Sequence, residues 1–292
     1  MMPSFDYVRP RTTREALKRI ADDGSRIHAG GSDLLGCLRD QVFDANTVVS
    51  IGALDELRGI ETTRGGGLRI GALTTVAEVA ADPQVAQRLP GLAQAAATVA
   101  SPQLRNQGTL GGNLCQRPRC WYFRGDYDCA KKGGDMCYAV DGQNRYHAIF
   151  GGNPCFIVHP SDTAPMLMAL GASVRIAGPR RERTVPLEEF FVLPADDLLR
   201  ETVVGPDELV TRIEVPAPVE GVVGSYRKVR ERGAWDFALT SVALAIELSG
   251  RRVETARVVL GGVAPIPWRS LAAEEALVGN ELNDQTIRAA AD

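Results

Sequence analysis

A chain of 292 residues, 45% hydrophobic and 24% charged, is long enough for more than one domain and has the make-up of a globular protein. A formal net charge of −3 and a pI near 5.8 leave no electrostatic footprint for nucleic acid or an anionic membrane surface. No apolar signal region opens the chain and no stretch approaches a membrane span, so a cytoplasmic protein is expected, or a periplasmic one if exported with a signal-bearing partner.

Thr12 and Glu15 have capping-box spacing, and Ala16, Leu17, Ile20 and Ala21 give one apolar helical face before Asp22, Asp23 and Gly24 end it. Residues 26–29 read as a short strand running into Gly30 and Gly31. Ser32 or Asp33 can then cap a turn or short helix carrying Leu34, Leu35 and Leu38. Strands are expected at residues 47–51 and 68–70, the second after the turn formed by Gly65, Gly66 and Gly67. Residues 75–100 are helical and alanine-rich, with breaks at Pro83 and Pro90, and residues 101–113 read as a loop.

Further on, a strand is expected at 156–158, a helix capped by Ser161 or Asp162 as far as Leu170, and a strand at 173–176. The composition changes at 178–183 (GPRRER), which suggests one domain over residues 1–178 and another over 184–292. The second would hold strands, or a helix–strand mixture, at 209–215, 226–229, 241–248 and 257–261, then a helix at 270–278. The fold class is α+β with mixed strand order.

Two glycine loops have the chemistry of a phosphate cradle. In IHAGGSDL (27–34) a strand delivers paired glycines to the start of a helix, and residues without Cβ let backbone N–H groups approach a pyrophosphate. GTLGGN (108–113) repeats the arrangement with a threonine hydroxyl beside the glycines. Neither is GxGxxG or GxxxxGK[ST], and alone each could be a tight turn.

Five of the six cysteines lie close together, from Cys115 to Cys155. The gaps between Cys120, Cys129, Cys137 and Cys155 hold eight, seven and seventeen residues, unlike a zinc ribbon or a ferredoxin run. A reducing cytoplasm disfavours a disulfide framework. On spacing alone an iron–sulfur site, a zinc site, and free or disulfide-bonded thiols all stay open. Arg117, Arg119, Arg124, Lys131, Lys132 and Arg145 are interleaved with these cysteines and could balance thiolate charge. Trp121, Tyr122, Phe123, Tyr127, Tyr138, Tyr146 and Phe150 could keep water out. Cys37, in the apolar LLGCLRD, reads as a small buried thiol. No GxSxG, HExxH or matched carboxylate pair marks hydrolytic chemistry.

HAGGSDLL, RNQGTLGGNL, HPSDTAPMLMALGA and YRKVRERGAWDFALTSVAL together resemble the FAD-binding subunit of the molybdenum hydroxylases, the xanthine dehydrogenase and carbon monoxide dehydrogenase family. The resemblance covers nearly the whole chain in the family's order. It implies a two-lobed FAD-binding domain of the vanillyl-alcohol-oxidase type, followed by a smaller α+β domain. It further implies that Arg26, Ile27, His28, Ala29, Gly30, Gly31, Ser32, Asp33 and Leu34, with Thr109, Gly111, Gly112 and Asn113, hold the pyrophosphate of FAD. Asp162 would bond the ribityl or nearby hydroxyls, and Lys228 would reach the flavin from the C-terminal side. Without the resemblance, Asp162 reads as a helix N-cap and Lys228 as a surface lysine on an edge strand.

About forty residues stand between GGNL and HPSD, where most of the family has a short connection. RCWYFR, DCAKKGG and NRYHAIFGG look most like the branch whose insertion binds a 4Fe–4S cluster, that of the bacterial aldehyde oxidoreductases. That likeness implies Cys120, Cys129, Cys137 and Cys155 as ligands and leaves out Cys115. It implies as partners a molybdenum-cofactor subunit and a 2Fe–2S subunit, with FAD passing electrons to an external acceptor. A stand-alone flavoenzyme of the same fold, or the flavin subunit of another molybdenum hydroxylase (xanthine dehydrogenase or hydroxybenzoyl-CoA reductase type), is the alternative.

Overall fold

The structure, a computed structural model, describes residues 2–217, 219 and 221–292. Three sheets follow one another along the chain. The first is parallel, with β1 (Asp6–Val8), β2 (Ser25–His28) and β3 (Thr47–Ser50) in the order β1-β3-β2. The helix Thr13–Ile20 returns the chain from β1 to β2 and packs Ala16 and Ile20 against Val49 and Ile51. Thr12 caps it by accepting from Glu15 N at 3.1 Å, but the Glu15 carboxylate turns to Arg11 N at 2.8 Å, so the expected box is half formed.

The second sheet is antiparallel and has five strands: β4 (Ile60–Thr62), β5 (Leu68–Gly71), β6 (Ser173–Ala177), β7 (Glu182–Pro186) and β8 (Leu209–Val215), in the order β4-β5-β8-β6-β7. The GPRRER segment is the turn of the β6–β7 hairpin. A boundary between 178 and 184 would therefore cut a sheet that the chain leaves only at Val215, which corrects the division drawn from composition. Charged residues cluster there because a hairpin tip is solvated, not because a domain ends.

The third sheet is β9 (Val222–Val229), β10 (Thr240–Ser249), β11 (Arg252–Gly261) and β12 (Trp268–Arg269), antiparallel in the order β12-β11-β10-β9. The helices Leu271–Leu277 and Asp284–Ala291 follow it, the first burying Ala273 and Leu277 against Val253 and Val258 of β11.

The 75–100 region forms the helices Val76–Ala81, Pro83–Arg88 and Pro90–Thr98, two of them started by the prolines that end their predecessors. Residues 101–113 are not the loop expected: they hold the helix Pro102–Gln107, and Leu110–Leu114 begins within them. Ser101 caps the first at Leu104 N and Pro102 opens it, a start signal the glycines further along obscured. Residues 156–158 form no ladder; they run as coil between Ala148, which donates to Phe156 O, and His159, which donates to Ala264 O.

The helix Thr163–Ala169 is buried along its whole length. Met166, Leu167 and Ala164 join one core with Leu92 and Ala95 of a neighbouring helix, Val174 and Ile213 of the second sheet, and Ala243 and Val259 of the third. This shared core fixes the last sheet against the rest, and so fixes what β9 presents to the preceding loops.

Candidate functional site

A cavity of about 620 Å³ opens between the first sheet, the glycine loops and the 202–210 segment. Arg26, Ile27, Ala29, Gly30, Gly31, Ser32, Asp33 and Leu34 line it, with Thr109, Gly111, Gly112, Asn113 and Asp162. His28 does not; its ring lies beside Gly31 and meets Tyr7 edge to face at 6.3 Å. Burial lowers the His28 pKa. Lys228 also lies outside the lining.

The first loop suits an anionic ligand. Among the described residues, no protein oxygen accepts from the backbone N–H of Gly30, Gly31, Ser32 or Asp33, whereas Leu35 and Cys37 donate back to Gly31 and Asp33. Free donors on a cavity wall are what a pyrophosphate needs. Gly31 has φ +72°, and a Cβ on Gly30 would collide with the Gln107 carbonyl oxygen, so both glycines are required by geometry. Arg26 stands over the Phe43 ring at 5.0 Å, its pKa lowered by burial and then by Arg117.

The second loop works differently. Leu110 N donates to Thr74 O, Gly111 N to Ala72 O, Gly112 N to Thr109 Oγ1 and Asn113 N to Thr109 O. Its donors are spent inside the protein, and its glycines give close approach: a Cβ on Gly111 would stand 2.8 Å from that of Ala72. Asn113 Oδ1 accepts from Ser161 Oγ at 2.5 Å and Thr163 Oγ1 at 2.7 Å, which ties the loop to the buried helix.

Asp162 holds the N-cap position without capping through its side chain. Its carboxylate makes no capping bond, and Ser161 Oγ accepts from Ala164 N instead. Asp162 accepts from Lys228 Nζ at 2.7 Å and from the Tyr226 hydroxyl at 2.8 Å. Burial raises the Asp162 pKa while Lys228 and Tyr226 oppose the shift. Lys228 stands on an edge strand, as expected, yet its side chain is only 2% exposed; its Nζ also donates to Asp236 O and Thr98 O.

Asp33 joins the first loop to the cysteine region. Arg124 and Arg119 pair with its Oδ1 at 2.7 and 2.8 Å, and Arg117 N donates to Oδ2 at 2.7 Å. Lys131, buried, pairs with Glu201 at 2.8 Å, as does Arg117. Cys120 precedes the short helix Trp121–Arg124, and Cys129 bridges Met136, which returns Cys137 toward it. Burial pushes the Cys120 thiol up, and nearby Cys129 and Cys137 add to the rise. Cys155 is pushed up to about 12, first by burial, with Cys137 and Cys120 contributing. Cys120 thus stands within electrostatic reach of Cys129, Cys137 and Cys155. Cys115, also pushed up to about 12, feels burial and Glu201 instead; Cys37 feels burial and Asp33. Among the described residues, no three His, Cys, Asp or Glu side chains converge closely enough to hold a metal ion.

Residues 3–218 match the model of the FAD binding domain in molybdopterin dehydrogenase, and residues 224–292 that of the CO dehydrogenase flavoprotein C-terminal domain. The chain belongs to the FAD-binding subunits of the molybdenum hydroxylases. It is 39% identical over 284 residues to the aldehyde oxidoreductase FAD-binding subunit PaoB of Escherichia coli, covering 94% of this chain and 86% of that one. It is 31% identical to the glyceraldehyde dehydrogenase medium chain of Sulfolobus acidocaldarius, covering 98% and 85%. Among solved structures, carbon monoxide dehydrogenase from Hydrogenophaga pseudoflava superposes with a TM-score of 0.79 at 28% identity, covering all of this chain and 86% of that one.

Sequence reading missed part of this flavin subunit's cavity. Thr202, Val204, Pro206 and Leu209 form one wall, Phe237 stands at its edge, and Arg117 and Arg119 line it while also belonging to the cysteine region. Only the arginines carried a signal, and it pointed to the cysteines.

Proposed function

We propose that this chain binds FAD in the larger cavity and a 4Fe–4S cluster on Cys120, Cys129, Cys137 and Cys155, as the electron-transfer subunit of a molybdenum-containing aldehyde oxidoreductase. A molybdenum-cofactor subunit and a 2Fe–2S subunit are its partners. The 39% identity to an aldehyde oxidoreductase subunit supports the substrate class. What supports the ligand set is that Cys120 answers to Cys129 and Cys137, and Cys155 to Cys137 and Cys120, whereas Cys115 and Cys37 answer to Glu201 and Asp33.

A single zinc ion with Zn–S bonds of 2.3 Å would draw its thiolates to about 3.8 Å from one another. Among the described residues no such group exists.

Bound FAD supplies two-electron redox chemistry, and an iron–sulfur cluster exchanges electrons singly. This chain's residues do the rest. The free N–H groups of residues 30–33 and the Arg26 guanidinium hold the pyrophosphate. Asp162, fixed by Lys228 and Tyr226, presents a carboxylate at the cavity wall. Asp33 couples the flavin loop to Arg119 and Arg124, beside Cys120, and Lys131 offsets thiolate charge near Cys155.

An anaerobic absorption spectrum of the purified chain, with flavin, iron and sulfide analysis, tests the reading. One FAD with about four irons and four sulfides is expected for a 4Fe–4S cluster. Flavin without iron would sink the cluster, and neither would sink the whole reading.

A further inference from the structure

Beside the cavity lined by the glycine loops, four cations of the cysteine-bearing insertion meet two carboxylates. Arg119 and Arg124 share Asp33, at 2.8 and 2.7 Å. Arg117 Nε lies 2.8 Å from Glu201 Oε2, and Lys131 Nζ lies 2.8 Å from Glu201 Oε1. Each group keeps one positive charge in excess. The other carboxylates on the cavity wall, Glu208 and Asp162, each pair with one cation among the described residues, Arg183 and Lys228.

The Glu201 group is the deeper of the two. The Lys131 and Glu201 side chains are 1% and 8% exposed, and Lys131 Nζ also donates to Leu198 O at 2.9 Å. Charge so placed is poorly screened by water and salt, so it acts over a longer range. Stability alone would match one buried cation to one carboxylate. Arg117 lines the cavity and Glu201 precedes Thr202 on its wall, whereas neither Glu201 nor Lys131 lines it. These two therefore reach a ligand in the cavity through their charge and not by contact.

We propose that Lys131 and Glu201 set the reduction potential of FAD in this cavity, the surplus positive charge holding it up. The proposal rests on the reading that FAD occupies the cavity. Two electrons and one proton turn the oxidised isoalloxazine into its reduced anion, which carries one more negative charge. A positive charge nearby favours that anion and a negative charge opposes it.

The test is a redox titration of the FAD-loaded full chain against dyes of known potential, read at the flavin absorbance. Lys131→Met removes one positive charge. At a fixed potential it should cut the ratio of reduced to oxidised flavin about tenfold, which is ~30 mV downward for a two-electron couple. Glu201→Gln removes one negative charge and should raise the ratio by a similar factor. The double variant restores the wild-type sum and should titrate as wild type does, an order of signs that a merely structural role would not produce. Lys131→Met leaves Glu201 paired with Arg117, so this variant and the double one decide the matter even where Glu201→Gln fails to fold. Flavin content is measured first, and a wild-type chain without flavin overturns this proposal together with the reading beneath it. With flavin bound, unchanged potentials, or shifts of the same sign in the two single variants, overturn the proposal and leave that reading standing. Loss of flavin from Lys131→Met would mean that the group braces the cavity, and would overturn it too.

Discussion

Lys228 Nζ lies 2.7 Å from Asp162 Oδ2, with the two side chains 2% and 5% exposed. The pair crosses from β9 of the last sheet to the start of the buried helix Thr163–Ala169, so it fastens the C-terminal sheet at the edge of the cavity lined by the glycine loops. Removing one partner leaves an uncompensated buried charge, at a cost of about 3–5 kcal/mol. Lys228→Met is therefore expected to lower the thermal midpoint and the flavin content together. The double variant Lys228→Met with Asp162→Asn should regain much of the lost stability, because no charge is then stranded. Thermal melts of the four proteins read this directly; a double variant less stable than Lys228→Met would refute it.

Gly30 and Gly36 make a matched pair of tests. A Cβ on Gly30 would collide with the backbone oxygen of Gln107, which cannot move without the helix Pro102–Gln107. A Cβ on Gly36 would meet nothing closer than Arg124 Nη1 at 3.7 Å, and this glycine lies inside the helix Leu34–Arg39. Gly30→Ala should abolish flavin retention, whereas Gly36→Ala should keep flavin and gain up to about 1 kcal/mol of stability. Flavin content after gel filtration, with a denaturant titration, separates the two.

What sequence could show of this site was what local pattern encodes. The loop at 27–34, which alone could be a tight turn, was singled out because it agreed with three other motifs in the resemblance, and thirteen of the fifteen residues named for the cofactor line the cavity. The Asp162–Lys228 pair was not, because its members are 66 residues apart and their meeting depends on how one sheet packs on one helix. The wall from Thr202 to Leu209 carries no motif, since its contribution is shape. The domain division failed for a related reason: a charged turn inside a sheet and a linker between domains have the same composition, and only strand pairing tells them apart.

The cysteine assignment separates into two groups of variants. Serine at Cys120, Cys129, Cys137 or Cys155 should each remove the broad iron–sulfur absorbance, because a cubane loses a ligand at any of the four. Serine at Cys115 or Cys37 should leave it, as their thiols answer to Glu201 and Asp33 and not to the group. Iron per chain, measured beside flavin per chain, is the readout. Loss of iron in Cys115→Ser with retention in any of the four would mean the ligand set is wrong.

His159 gives the chain a dependence on acid. Its ring is 4% exposed, packs edge to face on Phe191 at 4.6 Å, bonds Leu114 O through Nε2 at 3.2 Å and accepts from Ser161 N at Nδ1, a pattern that needs the neutral ring. Burial lowers its pKa from 6.5 to about 4. The folded state thus binds its proton later than the unfolded chain does as pH falls. The stabilising contribution is complete above pH 6.5 and is lost progressively as pH drops toward about 4, a change on the order of 3 kcal/mol. His159→Gln preserves one donor and one acceptor without titrating, so its thermal midpoint should fall less steeply than wild type across that window. Parallel pH slopes for the two proteins between 6.5 and 4 would remove His159 as the cause.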